Sequence, residues 1–190
     1  MNIRDTFSNE RDRYVNFLVE TSTKLRETEP KTVGELLVSI NNEAIPYPYR
    51  YVRVDVMTLS PDGSPQPCEV RIGLDPGFEA KSVDFGGLVL EVHPFTWNSV
   101  QVLFNQPIED TEKLDRWITG WLDVEDKNPV VPSGISQAIH SFSPVEGQGN
   151  WWFLTGDFGT APADALIEFI EYLAGQGMTR IVVRGGGGHA

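Results

Sequence analysis

Tyr14, Phe17, Leu18, Thr21 and Leu25 recur at helical spacing, three, four, seven and eleven residues on from Tyr14, which places them on one face of an α-helix. Thr6 or Ser8 stands where that helix would be capped. A second, short helix is expected after it, because Thr32 and Glu35 have the spacing of a capping box ahead of Leu36, Leu37 and Ile40. Pro46 and Pro48 would end it. From Tyr51 the period changes to two. Val52, Val54 and Val56 alternate with Arg53, Asp55 and Met57 up to the turn signal SPDGSP. Three further runs alternate in the same way: Val70, Ile72 and Leu74; Leu88, Leu90 and Val92; Val100, Val102 and Phe104. These four runs predict a meander with one apolar and one more polar face.

Helical spacing returns at Leu114, Trp117, Ile118, Trp121 and Leu122, with Asp110 or Thr111 as cap, and this helix is expected to cover the apolar face. After a loop at VEDKNPVVPSG come a hairpin from ISQAIHSF and NWWFLTG, a helix at APADALIEFIEYLAG and a strand at TRIVVRG. The predicted fold is α+β: a largely antiparallel sheet (meander plus C-terminal hairpin and strand) with helices packed on one face. It forms one domain over residues 1–184, followed by a flexible Gly-rich tail over 185–190. Val54, Leu90, Val102, Trp117 and Leu166 are expected in the core.

Charge narrows the partners. Fifteen Lys and Arg against 27 Asp and Glu leave a formal charge of −12. Such a surface repels phosphate backbones, so nucleic acid is not an expected partner. Residues 128–179 contain no Lys or Arg, while Glu146, Asp157, Asp164, Glu168 and Glu171 all fall within them. This points to steering toward a basic protein. No apolar run reaches the length of a membrane span, and the N-terminus has no apolar signal-peptide segment, so a cytoplasmic location away from membranes is expected. The single Cys68 has no cysteine partner for a disulfide or a zinc site.

Candidate chemistry concentrates at TGDFGTAP, residues 155–162. It lacks both glycine-rich nucleotide-loop spacings, and Asp157 would repel a phosphate. For a metal, Asp157 would need His93 with Glu91, Asp84 or His140, and the preferred reading has neither metal nor cofactor. The segment reads best as a strand-to-helix connection: Gly156 and Gly159 permit the turn, Pro162 suits the first helical turn with Thr160 or Ala161 as cap, and Asp157 bonds the loop's own amides. No nucleophile motif is present. Phe95 and Trp97 fall at an expected hairpin tip, where exposed aromatics beside acidic surface would form a binding hot spot.

The expected order of helix, meander, helix, hairpin and helix is similar to that of small acidic chaperones of bacterial secretion systems and of some toxin-immunity proteins, which act by binding. The extra N-terminal helix, the added meander strand and the final TRIVVRG strand depart from that pattern, so no functional residue is carried over. The expected function is therefore a non-enzymatic acidic module that engages a basic protein partner through Phe95, Trp97, Glu168 and Glu171. The alternative is a small-ligand-binding protein or enzyme whose pocket lies beside the 155–162 turn, with Asp157, His93 and His140 as its polar groups.

Overall fold

The computed structural model describes residues 2–73, 75–128 and 134–186. Helix α1 (Ile3–Thr28) begins earlier than Thr6 or Ser8: the Asn2 side chain accepts from the Asp5 N–H at 2.8 Å, and the Asp5 carboxylate accepts from the Asn2 N–H at 3.2 Å. This reciprocal box satisfies two of the amide donors that a helix start leaves open. Its inward face carries Phe7, Tyr14, Val15 and Leu18.

The expected second helix is instead strand β1 (Val33–Ser39), antiparallel to β2 (Tyr51–Leu59). The Thr32 hydroxyl bonds back to Glu29 O, closing the turn that leaves α1 instead of capping a new helix. Tertiary pairing outweighs the capping pattern here, because β2 offers a full edge and Val33 and Val38 suit a pleated surface. β2 turns through Ser60–Ser64 into β3 (Pro65–Cys68), and Gly63 takes φ +84° in that turn. Pro65 and Pro67 fit because β3 is an edge.

The second sheet contains β4 (Lys81–Asp84), β5 (Val89–Val92), β6 (Val100–Phe104), β7 (Ser141–Phe142), β8 (Glu146–Gln148), β9 (Trp151–Asp157) and β10 (Arg180–Gly185). Its order is β4-β5-β10-β6-β9-β7, with β8 pairing β9, and only β5 and β10 run parallel. The four-strand meander is thus corrected: residues 52–56 belong to another sheet, the chain at Val70 and Ile72 is irregular, Leu74 lies outside the described residues, and β10 separates β5 from β6. The α+β class and the largely antiparallel pairing stand. The helix–strands–helix–hairpin–helix order also stands, but the meander within it, on which the resemblance to secretion chaperones and immunity proteins drew, does not.

Helix α2 (Thr111–Leu122) is capped by Asp110, as its sequence predicts, and α3 (Ala163–Gly175) starts from Pro162 without a side-chain cap. α1 packs against α3, and α2 lies against β2. Leu90, Val102 and Leu166 are buried, whereas Val54 and Trp117 are half-buried. On β2 the buried residues are Arg53, Asp55 and Val56. Phe95 and Trp97 are not a tip: at 1% and 0% exposure they sit in a continuous file of aromatic contacts from Phe7 through Phe95 and Trp97 to Phe158. A tight turn closed by Ser99 N–H to Thr96 O folds these rings inward under α1. Gly186 donates its N–H to Ser99 O, so the first two residues of the expected tail belong to the fold; 187–190, with His189, lie outside the described residues.

Candidate functional site

His140 lies at the seam between the sheets. Its backbone N–H donates to Asp157 O on β9 at 2.8 Å, and its carbonyl accepts the Arg53 N–H of β2 at 2.7 Å. The imidazole is 1% exposed and is held at both nitrogens: Nδ1 is 2.7 Å from Asp55 Oδ1, and Nε2 is 2.8 Å from Glu35 Oε1. Gly159 makes room for it. With φ +48°, a Cβ at this position would stand 2.1 Å from His140 Cδ2, so no other residue fits without displacing the ring.

Each carboxylate is fixed from behind. Glu35 accepts from Ser136 N–H at 2.7 Å, Ser136 Oγ at 2.9 Å and Thr160 Oγ1 at 2.5 Å. It does so from a backbone φ of +49°, directly within the register that places Gly34 opposite Val56 and Leu36 opposite Val54. A non-glycine residue in the left-handed region inside a strand is strained, and here the strain accompanies delivery of the Glu35 carboxylate to the imidazole. Asp55 accepts from the Tyr14 hydroxyl at 3.0 Å and from Val70 N–H at 2.6 Å. Beside them Arg53 donates to the carbonyls of Glu35, Leu122 and Asp123 and to the Asp126 carboxylate. It thereby covers the C-terminal end of α2.

Burial alone would push the His140 pKa down, but the hydrogen bonds from its two nitrogens to Asp55 and Glu35, with the nearby charges of Asp157 and Glu35, raise it to about 10. The ring is an imidazolium at neutral pH. Burial opposes ionisation of Glu35 and Asp55 too; bonding to His140 and to their backbone and hydroxyl donors outweighs it and holds both below the usual carboxylate range. Burial, with the negative charges of Asp55 and Glu69, pushes Asp157 up to about 7 against the opposing charge of His140 and the bond from Gly159. Tyr14 is raised well above an ordinary phenol by burial and by the carboxylates, so it remains a donor.

Asp55 and Asp157 form the floor of an open cavity of about 960 Å³, whose polar walls include Gln101, Thr155, Ser143 and Asn98. Gln101 donates to Thr155 across β6 and β9 at 3.2 Å, while Asn98 Oδ1 is buried without a hydrogen-bond partner. Asp157 accepts Gly159 N–H at 2.8 Å through Oδ1, as expected of a strand-to-helix connection whose Asp bonds the loop's own amides; Oδ2 lies 3.9 Å from His140 Nδ1. One donor atom from each of Asp55, His140 and Asp157 lies within 4.8 Å of the others.

Asp157 and His140 thus come together, and His93 does not join them. His93 is 47% exposed and 3.7 Å from Glu91, which Arg180 engages at 2.6 and 2.9 Å, and neither residue lines the cavity. Glu168 and Glu171 are exposed on α3, Glu168 accepting from Trp121 Nε1 at 2.9 Å. Glu35, Asp55, Tyr14 and Thr160 escape sequence reasoning; the available signals were an acidic residue amid the apolar alternation of β2 and a Glu in what resembled a capping box. No family model, curated protein or solved structure matches the chain.

Proposed function

We propose that the protein binds a small polar ligand in the cavity above Asp55 and Asp157, with Asp157 as the group that meets it. One observation carries this reading: among the described residues Asp157 commits only one oxygen to a hydrogen bond, and its carboxylate lines, beside the buried imidazole chain, a cavity whose wall mixes polar groups such as Gln101, Thr155 and Arg71 with apolar ones such as Phe142 and Phe153. A large pocket with a few convergent polar groups is the ordinary form of a ligand site. The test is a ligand-observed NMR screen of polar small molecules against the wild-type chain and Asp157→Ala. Hits are expected that weaken at least tenfold in the variant; hits unaffected by it, or no hits at all, would remove the reading.

A second reading, engagement of a basic protein by acidic surface, retains Glu168 and Glu171, which are exposed together with Asp164 on α3. It loses its aromatic anchors, because Phe95 and Trp97 are core. Capture of a basic protein that is released by Glu168→Lys with Glu171→Lys would support it.

A further inference from the structure

We infer that the cavity floor is a divalent-cation site in which Asp55, His140 and Asp157 ligate a first-row transition ion such as Mn²⁺ or Zn²⁺. The inference rests on the ligand-site reading above and gives that site its central group. An ion bound at roughly 2.1 Å holds its donors about 3.0–4.2 Å apart. His140 Nδ1 already stands 3.9 Å from Asp157 Oδ2, and its 2.7 Å contact with Asp55 needs to open by only a few tenths of an ångström.

The surroundings are those of a ligating histidine. The ring nitrogen turned away from the site donates to Glu35, the carboxylate–histidine arrangement that fixes which nitrogen faces a metal. Glu35 cannot swing away, being bonded to Ser136 and Thr160. Asp55 is aimed by Tyr14 and Val70. Around one imidazole stand three carboxylates, Glu35, Asp55 and Asp157, so a doubly charged ion offsets an excess of negative charge in a poorly solvated place. The proton that Nδ1 shares with Asp55 leaves to solvent as the ion takes its position. Asp55 and Asp157 line the cavity, so the remaining coordination positions face it and are filled by water or by an oxygen of the ligand. One nitrogen with two carboxylate donors suits Mn²⁺ or Zn²⁺, whereas Ca²⁺ takes six to eight oxygens.

The test is calorimetric titration of the chelator-stripped full chain with Mn²⁺ and, separately, Zn²⁺, with Ca²⁺ as the comparison ion and no organic ligand present. At least one of the two is expected to bind at one ion per chain. Binding should weaken at least tenfold in Asp157→Asn, which keeps an acceptor for Gly159, and be unchanged in His93→Ala. Absence of stoichiometric binding by either ion, unaltered affinity in Asp157→Asn, or equal affinity for Ca²⁺ overturns the assignment. Should Asp157→Asn fail to fold, the wild-type protein decides the matter: selective broadening of the His140 ring resonances by Mn²⁺, or their saturable shift at one equivalent of Zn²⁺, supports the site, and the absence of both sinks it. Polar-ligand hits without ion binding would overturn the cation site alone, while ion binding without such hits would overturn the organic-ligand reading alone.

Discussion

A histidine with carboxylates on both nitrogens makes stability depend on pH in a definite way. His140 has its pKa raised to about 10, so its contribution is complete below its ordinary value of 6.5 and is lost as pH rises toward 10. Glu35 and Asp55 are lowered from 4.5 and 3.8, so theirs is present above those values and lost as pH falls through the depressed ones. Asp157 runs the other way for an acid. Raised from 3.8 to about 7, it favours the folded state when protonated, and that advantage fades as pH climbs between those values. In chelator, the urea midpoint is therefore expected to be highest near pH 4.5 and to decline toward pH 10. Asp157→Asn isolates one component: its stability relative to wild type should improve from pH 4 to pH 7 and then level off. A constant difference across that range would show that Asp157 titrates normally. Gly159→Ala probes the ring's space instead, since it combines the positive φ with a Cβ 2.1 Å from His140, and a loss of about 2 kcal/mol or more in urea unfolding is expected.

At the level of elements, β2 carries more than its share. Its inward Arg53 meets four carbonyl or carboxylate oxygens within hydrogen-bonding range, and its inward Asp55 completes the imidazole chain. Arg53→Met keeps the apolar stem but removes the cation beside Asp123, whose buried carboxylate is then held by the Lys127 and Asn128 amides alone, and uncovers the last turn of α2, so a loss of about 3 kcal/mol is expected in the same assay. This is also where sequence reading reached its limit. Alternation located β2 correctly and Val56 of its apolar set is core, yet Val52 and Val54 are only half-buried while Arg53 and Asp55 are buried, because period two identifies two faces without saying which one faces a buried polar network. Elements whose signal is local came out as predicted: the long amphipathic α1, the capped start of α2, the turn after β2 and the helix α3 with Leu166 in the core. Those set by distant pairing did not, as β1 and the insertion of β10 between β5 and β6 illustrate. The same holds for the site. Asp157 stood out through its flanking glycines, and His140 was named, but Glu35 and Asp55 approach from 105 and 85 residues away, a separation that no local spacing reveals.

Across the whole molecule, the −12 charge sets two salt responses of opposite kind. The ion pairs at the surface, such as Lys24–Glu20, Arg71–Glu69 and Arg116–Glu112, are well exposed, and pairs of this type contribute little. Acidic residues outnumber basic ones by 27 to 15, so most of what salt screens is repulsion among carboxylates. The Debye length shrinks from about 10 Å at 0.1 M to about 3 Å at 1 M, which removes that repulsion before it weakens the buried chain around His140. Raising NaCl from 0.1 to 1 M is therefore expected to move the urea midpoint upward. A downward shift would mean that the exposed pairs outweigh the repulsion. Encounter with a basic partner responds in reverse, because the field that strains the folded chain is the field that attracts the partner, and association through Glu168 and Glu171 should slow as salt rises. Binding of an uncharged polar ligand in the cavity should vary far less over the same range. Salt thus separates the two proposed roles in one series of measurements: strong slowing marks surface steering, and near-constancy marks the cavity.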